Sequence, residues 1–525
     1  MTYSKKEVAK LIEKLLAYGL KNQMIGVEDI IYLRNQLMDL LDIPQPWGDR
    51  HIPLDHDIPG TATPILEKIL DYAAEEGIIP DNSLVYRDLL DTKIMGIITP
   101  WPSQVIDRFN KIKESQGIKE ATDYFYNLCQ KSDYIRVNRI IKNKEWSFDS
   151  NYGTFKITIN LTKPEKDPRD IAAEKKAPQI GYPQCALCPE NVGYAGRVNH
   201  PARQNHRILP VELAGEKWYF QYSPYVYYNE HCIVLNEAHV PMKLNRKTFQ
   251  RLFDFIESFP HYFIGSNADL PIVGGSILNH DHFQGGSYTF PMEKAPIEYN
   301  LTSKKYSKVK AGVLNWPMST LRLVSHDSHV LVDLADQILD LWRDYSDPEV
   351  DILCQSLDKE GQVIPHNTIT PIARKKENGL YELDLVFRNN RTSTQYPLGI
   401  FHPHPEIHHI KKENIGLIEV MGLFILPGRL QKELSQIIEF LTGKATLDRE
   451  MLSSKDHPLH IHSRWIKDLL DKHGSHNNEE EAQTIIQNAV GQKCEQVLKD
   501  AGVFKCDEGG RHAFNKFLAS AGFII

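Results

Sequence analysis

The sequence predicts an α+β fold, in which a mostly helical N-terminal region precedes a larger part built on antiparallel sheet. Apolar residues recur at helical spacing through residues 1–150. Near residue 153 the pattern changes, and Phe155, Ile157, Ile159 and Leu161 alternate with polar residues, as in a half-buried strand. The long alternation of strands and helices that a doubly wound parallel sheet requires is absent from the pattern, which favours the α+β class.

The N-terminal region begins with the pattern of a capped amphipathic helix. Ser4 and Glu7 form a capping box, and apolar residues follow on one helix face. A second apolar series runs from Ile30 to Leu41, a third helix is expected from Thr63 to Gly77, and a fourth after Ser103. No catalytic pattern occurs here, so we interpret the region as a helical scaffold or an oligomer surface.

Strands and helices are mixed in the rest of the chain. A charged loop, KPEKDPRDIAAEKK, follows the first alternating strand. Two strands are expected next, at Trp218–Tyr222 and His231–Asn236, followed by a helix at Lys247–Ser258. A further strand is expected through Leu383, Leu385 and Phe387. Helices are expected from about Lys411 and from Glu479.

Composition excludes several classes of protein. The chain has 525 residues and a net charge of -7, which disfavours a protein that coats nucleic acid or an anionic membrane. No apolar run approaches the roughly 20 residues that span a bilayer, and the N-terminus is not expected to be a signal peptide. Seven cysteines are too few for a disulfide framework, so we expect a cytoplasmic protein with reduced thiols.

The segment DLPIVGGSILNHDHFQGG, residues 269–286, carries the strongest chemical signal. On a strand, His280, His282 and Gln284 would share one face, because side chains alternate with a period of two. A neutral imidazole can attack phosphorus, and an amide N–H can stabilise a phosphate oxygen. The flanking glycine pairs are typical of a backbone that approaches a ligand closely. Metal ligation or an ordinary surface position is the alternative for the two histidines.

Cys185 and Cys188 form a Cys-x-x-Cys pair, which is commonly half of a tetrahedral zinc site. No second pair exists, so histidines would complete the site, with His239 and His280 as candidates. A redox dithiol is less favoured because the thioredoxin-type βαβ context is missing, and unligated cysteines remain a third interpretation.

Two further segments are rich in basic residues or histidine. Arg197, Arg203 and Arg207 lie along an expected loop, and their guanidinium groups could bind phosphate in two-point geometry or could simply be solvated. A histidine-rich stretch contains Phe401-His402-Pro403-His404 and, shortly after, His408-His409. Histidines with a carboxylate are typical ligands of iron or zinc, although such clusters are also often only polar surface.

The motif around His282 resembles the signature of class II galactose-1-phosphate uridylyltransferases, also called UDP-glucose–hexose-1-phosphate uridylyltransferases. Supporting stretches are CALCPENVGYAGR, NHPARQNHR, NEHCIVLNEAHVPM, HNTITP and HHIKKENIGLIEVMG. By motif, the resemblance covers roughly residues 150–440. It implies a double displacement, in which UDP-glucose leaves UMP on a histidine and releases glucose 1-phosphate, and galactose 1-phosphate then takes the UMP to give UDP-galactose.

The resemblance also implies residue roles and an architecture. The nucleophile is His282, and Gln284 stabilises the phosphate where hydrolases of the histidine-triad superfamily have a third histidine. That superfamily has two antiparallel half-barrels with helices, so we expect residues 1–150 as the helical region, 151–330 as the first half and 331–525 as the second.

The resemblance also implies metal ligands, because the zinc ligands of the class I branch of the family correspond to residues of this sequence. For a structural zinc, these residues are Cys185, Cys188, His239 and His280. A second site, possible for a metal such as iron, maps onto Glu293, His366, His402 and His404. Ser276 and Asn279 join the three arginines as substrate-binding candidates. Hexose-contacting residues are not carried over, because Leu423 follows the glycine where class I has an acidic residue.

We expect a homodimer that binds UDP-glucose and galactose 1-phosphate and neither nucleic acid nor membrane. A dinucleoside-polyphosphate phosphorylase is the closest alternative, because it shares the His-x-His-x-Gln motif and the nucleotidyl-histidine chemistry. A zinc-stabilised nucleic-acid-binding protein built on Cys185 and Cys188 is a third possibility, which the acidic net charge disfavours.

Overall fold

The computed structural model describes residues 3–48, 58–161, 180–448, 452 and 454–525, and the charged loop expected at residues 163–176 lies outside them. The chain divides into two compact units, Met1–Lys142 with Glu165–Val240, and Asn143–Pro164 with Pro241–Ile525. Each mixes helices with mainly antiparallel strands, which confirms the α+β class.

The helices of the described residues are numbered here in chain order. Those of the first unit are α1 Lys5–Lys21, α2 Ile30–Leu40, α3 Thr63–Glu75, α4 Leu84–Ile98, α5 Pro102–Ser115, α6 Ile118–Lys131 and α7 Val137–Ile140. Those of the second unit are α8 Arg246–Ser258, α9 Ser328–Asp344, α10 Leu417–Val420, α11 Arg429–Leu441, α12 Ser463–His473, α13 Glu479–Ala501 and α14 Glu508–Ser520. Within the described part of the chain, none of the helices is both long enough and apolar enough to cross a membrane.

The strands are numbered in the same way. They are β1 Lys144–Ser150, β2 Gly153–Ile159, β3 Leu209–Leu213, β4 Glu216–Tyr222, β5 Cys232–Asn236, β6 Phe263–Gly265, β7 His282–Gly286, β8 Ile297–Ser303, β9 Lys310–Leu314, β10 Thr320–Ser325, β11 Gln355–Leu357, β12 Val363–Pro365, β13 Asn367–Lys375, β14 Tyr381–Asn389, β15 Leu423–Leu426 and β16 Phe523–Ile524.

The N-terminal helices confirm most of the expected starts. The capping box of α1 is present, with the Glu7 N–H donating to Ser4 Oγ at 3.3 Å and the Ser4 N–H donating to Glu7 Oε2 at 2.8 Å. Helix α3 begins at Thr63 as expected. Helix α4 was not predicted, because its apolar residues surround the helix and leave no single apolar stripe.

The sheets of the second unit position the motif around His282. Strands β8, β9, β10, β14, β13, β6 and β7 are neighbours in that order and pair antiparallel, and β16 pairs with the outer edge of β8. A separate sheet joins β1 and β2 antiparallel and β2 and β15 parallel. In the first unit, β3, β4 and β5 form an antiparallel meander.

The helix expected from about Lys411 begins later than the pattern indicated. Residues 411–416 are not helical, and α10 spans only Leu417–Val420 before β15 intervenes. The cause is the burial of Lys411, whose ammonium donates to Glu419 Oε1 at 2.8 Å and to the Ile425 carbonyl at 3.2 Å. Bonds to residues farther along the chain, and not the local apolar spacing, therefore fix this segment, which is irregular with a bend at residue 413.

The sheet core of the second unit contains a buried ion network. Arg322 donates to both carboxylate oxygens of Asp384, at 2.7 and 2.9 Å, and Arg374 donates to Asp384 Oδ2 at 2.8 Å and also pairs with Glu382. Burial alone would raise the pKa of Asp384, but the two guanidinium groups outweigh it and lower the pKa to about 2. Asp384 is therefore a fixed anion that ties β10, β13 and β14 together.

Candidate functional site

The His-x-His-x-Gln segment enters the sheet at its second histidine. Strand β7 begins at His282, and its partner β6 pairs Gly265 with Gln284. His282 and Gln284 are two residues apart on one strand, so their side chains project from the same face. His280 lies before the strand begins, so strand geometry does not place its side chain on that face. The shared face predicted for all three residues therefore applies to His282 and Gln284.

One hydrogen bond defines the chemical state of His282. Its Nδ1 lies 2.8 Å from the carbonyl oxygen of His280, and because a carbonyl only accepts, Nδ1 carries the proton. Nε2 of the neutral ring then holds the lone pair, and no other described residue forms a hydrogen bond with it. Burial lowers the pKa of His282 to about 4, which favours the neutral ring. A buried neutral imidazole with a free Nε2 is suited to nucleophilic attack.

The glycine pair before the motif has a packing role. A Cβ on Gly274 would lie 2.5 Å from the Ala268 carbonyl oxygen, and one on Gly275 would lie 2.7 Å from Asn267 Nδ2. Both positions therefore require glycine because of close contacts within the protein itself. Just before them, Ile272 has a φ of 73°, which is strained for a β-branched residue.

Cys185, Cys188, His239 and His280 form a group whose ligand atoms all lie within 4.8 Å of one another. Cys185 Sγ is 3.5 Å from Cys188 Sγ, and Cys188 Sγ is 3.2 Å from His239 Nδ1. Two thiolates bound at about 2.3 Å to one tetrahedral zinc would be roughly 3.8 Å apart, so the spacing fits a metal. Two sulfur and two nitrogen donors are typical of a structural zinc or another thiophilic ion.

Asn191 holds the Cys-x-x-Cys turn, a role that was not predicted from the sequence. Asn191 Nδ2 donates to the carbonyl oxygens of Cys185 and Cys188, both at 2.8 Å, and Asn191 Oδ1 lies 2.7 Å from His200 Nε2. The Leu187 N–H also points to Cys185 Sγ at 3.4 Å. These contacts preorganise the two sulfurs. In the sequence, the position of this asparagine three residues after Cys188 was the feature that could have indicated its role in the turn.

The three candidate arginines differ in how many of their guanidinium N–H groups are already bonded within the protein. Arg207 is buried, and it donates to the carbonyls of Pro100, Gln204, His206 and Thr99. Arg197 likewise donates to two backbone carbonyls and to the side chains of Tyr194 and Asn199. Within the described part of the chain, Arg203 makes one hydrogen bond, to the Ala202 carbonyl, and lies over the Tyr134 ring. These contacts favour Arg203 as the phosphate contact and indicate structural roles for the other two.

Ser276 and Asn279 are exposed in the segment that leads to β7. Their positions in the chain, six and three residues before His282, keep them close to the motif. Their side chains are therefore accessible to a ligand, and their substrate-binding role stays a prediction.

The second predicted metal set is engaged in other contacts. His366 uses both ring nitrogens, at 2.7 Å from Asn390 Oδ1 and 2.8 Å from Ser356 Oγ. Glu293 pairs with Lys376 at 2.7 Å, and His404 stacks on Tyr396 with Nε2 at 3.1 Å from the Ile400 carbonyl. His402 Nδ1 lies 3.3 Å from the Pro403 carbonyl. Among the residues that the structure describes, these four do not form a metal-sized group, so the second site stays a prediction.

Two family models match the chain. Residues 23–241 match the galactose-1-phosphate uridyl transferase N-terminal domain, and residues 255–450 match the C-terminal domain of the same family. The solved structure of yeast Ap4A phosphorylase Apa2 covers 64% of this chain and 89% of its own at 11% identity, with a TM-score of 0.29, which is too low to indicate a shared fold.

Curated relatives match over nearly the whole length. A galactose-1-phosphate uridylyltransferase of Caldanaerobacter subterraneus is 57% identical over 99% of both chains. Enzymes of the same name from Fusobacterium nucleatum, at 51% identity over 98% of this chain and 99% of theirs, and from Bacillus subtilis, at 47% over 97% of both, match similarly. The matched models and the full-length identity show that the chain belongs to the galactose-1-phosphate uridylyltransferase family.

Proposed function

We propose that this protein is a UDP-glucose–hexose-1-phosphate uridylyltransferase, which exchanges UMP between UDP-glucose and galactose 1-phosphate. The family membership and the names of the full-length relatives support the reaction. The observation that carries the proposal is the His282 ring, whose Nδ1–H is held by the His280 carbonyl so that Nε2 offers its lone pair. A uridylyl-histidine on this nitrogen is the proposed intermediate.

The proposed reaction takes place in two displacements at one phosphorus atom. First, the Nε2 lone pair of His282 attacks the uridine-linked phosphorus of UDP-glucose, and the bond from that phosphorus to the bridging oxygen breaks. Glucose 1-phosphate departs with the bridging oxygen and its electrons. A phosphate oxygen of galactose 1-phosphate then attacks the same phosphorus, the P–N bond breaks, and Nε2 regains its lone pair. The second step releases UDP-galactose and restores the neutral ring without an external proton.

Gln284 is proposed to stabilise the charge on the phosphorus-bound oxygens. It is half-buried on β7, two residues beyond His282 and on the same strand face. An amide donates a hydrogen bond without titrating, so it stabilises charge but cannot activate water as a base. This difference supports transfer to a sugar phosphate over hydrolysis of the intermediate.

We propose zinc as the ion bound by Cys185, Cys188, His239 and His280. Four protein ligands leave no open position for substrate or water, so the ion would act as a cross-link and supply no chemistry to the transfer. His280 would contribute its ring to the metal and its backbone carbonyl to His282. The ion would thereby stabilise the residue that orients the nucleophile.

The finer points from the family resemblance are part of the same proposal. We propose two histidine-triad-like halves at residues 151–330 and 331–525, a homodimer, and phosphate binding by Arg203 with Ser276 and Asn279. The antiparallel pairing around β7 supports the first of these.

A direct exchange assay tests the proposed reaction. Purified protein is incubated with UDP-glucose and galactose 1-phosphate, and nucleotide sugars are separated by chromatography. We expect UDP-galactose and glucose 1-phosphate in equal amounts. Dinucleotide phosphorolysis without UDP-hexose exchange would instead assign the protein to the phosphorylases that share the motif.

A further inference from the structure

The second unit contains a cavity of about 890 Å³, called here the basic cavity. Its walls come from residues 405–413, from Arg429 at the start of α11, from residues 460–468 and from Lys493 on α13. A volume of this size is typical of small-molecule sites. None of the residues assigned above to UMP transfer or to the zinc group lies on these walls.

Four cationic and three acidic side chains lie on the wall, and two of the cations, Lys412 and Arg464, are exposed. The positive residues are Lys412, Arg429, Arg464 and Lys493, and the negative ones are Glu406, Glu413 and Asp468. All three acids are exposed, whereas Arg429 and Lys493 are half-buried. Arg429 pairs with Glu433 at 2.6 Å, but within the described ranges no carboxylate forms an ion pair with the other three cations. Their positive charge is therefore available to an anion.

Two helices begin at or beside residues of the cavity wall. Helix α11 begins at the wall residue Arg429, and α12 begins at Ser463, one residue before the wall residue Arg464. Neither helix has a side-chain cap at its N-terminus. The first N–H groups of a helix and its dipole both favour a bound anion, which adds to the effect of the cationic side chains.

His409 supplies a polar atom that lacks a partner inside the protein. The side chain lines the cavity, is only 9% exposed, and its buried Nε2 forms no hydrogen bond. Its Nδ1 lies 2.7 Å from His462 Nδ1, and His462 Nε2 donates to Glu433 Oε2 at 2.9 Å. His409 Nε2 therefore has no partner within the described residues. A hydroxyl group both donates and accepts, so it can bond to this nitrogen whichever ring nitrogen of His409 carries the proton.

Burial and nearby positive charge keep His409 uncharged. Burial, the neighbouring His462, and then Lys493 and Arg429 lower its pKa to about 3. An unsatisfied polar atom is costly to bury, so a ligand hydroxyl that reaches Nε2 would remove that cost. The cavity therefore combines cationic groups for an anion with an unpartnered ring nitrogen for a hydroxyl.

We propose that the basic cavity is a second ligand site, which binds a phosphate monoester dianion that carries a hydroxyl group, separately from UMP transfer at His282. Lys412, Arg464 and Lys493 bind the phosphate oxygens, and His409 Nε2 forms a hydrogen bond with the hydroxyl. A sugar phosphate offers both groups, whereas inorganic phosphate offers the dianion without the sugar hydroxyl. The site does not depend on the proposed transferase activity.

Isothermal titration calorimetry on the full-length protein tests the site. Glucose 6-phosphate and inorganic phosphate are the two probes, and tighter binding of the former identifies a sugar phosphate as the source of the dianion. We expect one saturable site per chain, and in the double variant Arg464→Ala/Lys493→Ala an affinity about 10- to 100-fold lower, because bonds to charged groups are lost. The control is Lys432→Ala/Lys467→Ala, which removes two charges from α11 and α12 outside the cavity and should bind normally.

Further variants separate this site from the catalytic residues. His282→Ala should bind glucose 6-phosphate as the wild type does, and Arg464→Ala/Lys493→Ala should still be labelled by UDP-glucose. His409→Phe keeps a ring but removes the hydrogen-bonding nitrogen, and should weaken glucose 6-phosphate binding about fivefold. Thermal unfolding confirms that each variant is folded. The proposal is overturned if the wild type shows no saturable binding, if the two double variants bind alike, or if the cavity variant loses UMP labelling.

Discussion

The hydrogen bond between His282 and the His280 carbonyl determines which ring nitrogen is available for chemistry. With Nδ1 protonated, only Nε2 can act as the nucleophile. The spacing His280-Asp281-His282-Phe283-Gln284 was enough to predict the paired face of His282 and Gln284. It could not predict the tautomer, because that depends on how the backbone turns at His280 before β7 begins.

Replacement of Gln284 should slow transfer. Positioned donors around a transferred phosphate stabilise the transition state by about 2.7–4 kcal/mol, so Gln284→Ala should reduce both half-reactions roughly 100- to 1,000-fold, with a smaller effect on UDP-glucose binding. Single-turnover kinetics of labelling and of release to galactose 1-phosphate measure the two steps. Gln284→His should also lose transfer and should hydrolyse the intermediate slowly. Normal rates in both variants would show that Gln284 does not contact the phosphate.

Gly274 should resist replacement for a packing reason. An added Cβ would overlap the Ala268 carbonyl oxygen, so Gly274→Ala should lower the free energy of unfolding by about 1–3 kcal/mol. Gly60→Ala is the matched control, because a Cβ there meets no atom within 4 Å. Denaturant unfolding of both variants measures the difference. Equal stability would contradict the close approach at Gly274.

At the level of elements, the Cys-x-x-Cys turn depends on the bound ion. Loss of a zinc ligand reduces both metal affinity and folding free energy. Cys188→Ala should therefore lower the metal content, measured by elemental analysis, and also lower the melting temperature. Cys354→Ala removes a free thiol outside the group and should change neither. Metal-free wild-type protein with normal stability and activity would rule out a structural ion.

The ion network across β10, β13 and β14 should dominate the stability of this sheet. Asp384→Asn leaves Arg322 and Arg374 buried without their shared anion, which should cost about 3–5 kcal/mol at neutral pH. Asp333→Asn, which breaks the exposed pair with Arg246, should cost much less. Chemical denaturation of the two variants compares them, and similar losses would contradict the network's role.

The same network predicts a pH dependence. The pKa of Asp384 is about 2 in the folded protein, below the roughly 3.9 of an unfolded aspartate. Its stabilisation is therefore complete above about pH 4 and is lost as the pH falls through about 2. The stability difference between wild type and Asp384→Asn should shrink over that range. A constant difference would mean that Asp384 does not titrate there.

Alternating apolar residues predicted β14, although that strand is buried on both faces, whereas the neighbouring buried strand β13 was not predicted. Strand β13 contains Asn367, Thr368 and Arg374, which make the sequence look exposed, yet all are buried. Asn367 Nδ2 donates to the Trp342 carbonyl at 2.6 Å, and Thr368 Oγ1 donates to Asp269 at 2.6 Å. Partners distant in sequence satisfy these polar groups, so local patterning could not reveal the strand.

At the scale of the whole molecule, short spacings in the sequence singled out most of the candidate site residues, and His239 was added by its resemblance to the family pattern. His280, His282 and Gln284 lie within five residues, and the Cys185–Cys188 pair has a recognisable spacing. The basic cavity collects side chains from separate segments between residues 405 and 493, and no local pattern joins them. The predicted division at residues 150 and 330 stays a prediction.

The uridylyl-histidine at His282 is the central claim, and intact-protein mass spectrometry tests it most directly. Purified protein is mixed with UDP-glucose, without galactose 1-phosphate, and its mass is measured before and after. We predict a gain of one UMP per chain, which disappears when galactose 1-phosphate is added. His282→Ala should stay folded and gain nothing. A wild-type protein that is active but never gains UMP, or a His282→Ala protein that does, would contradict the account.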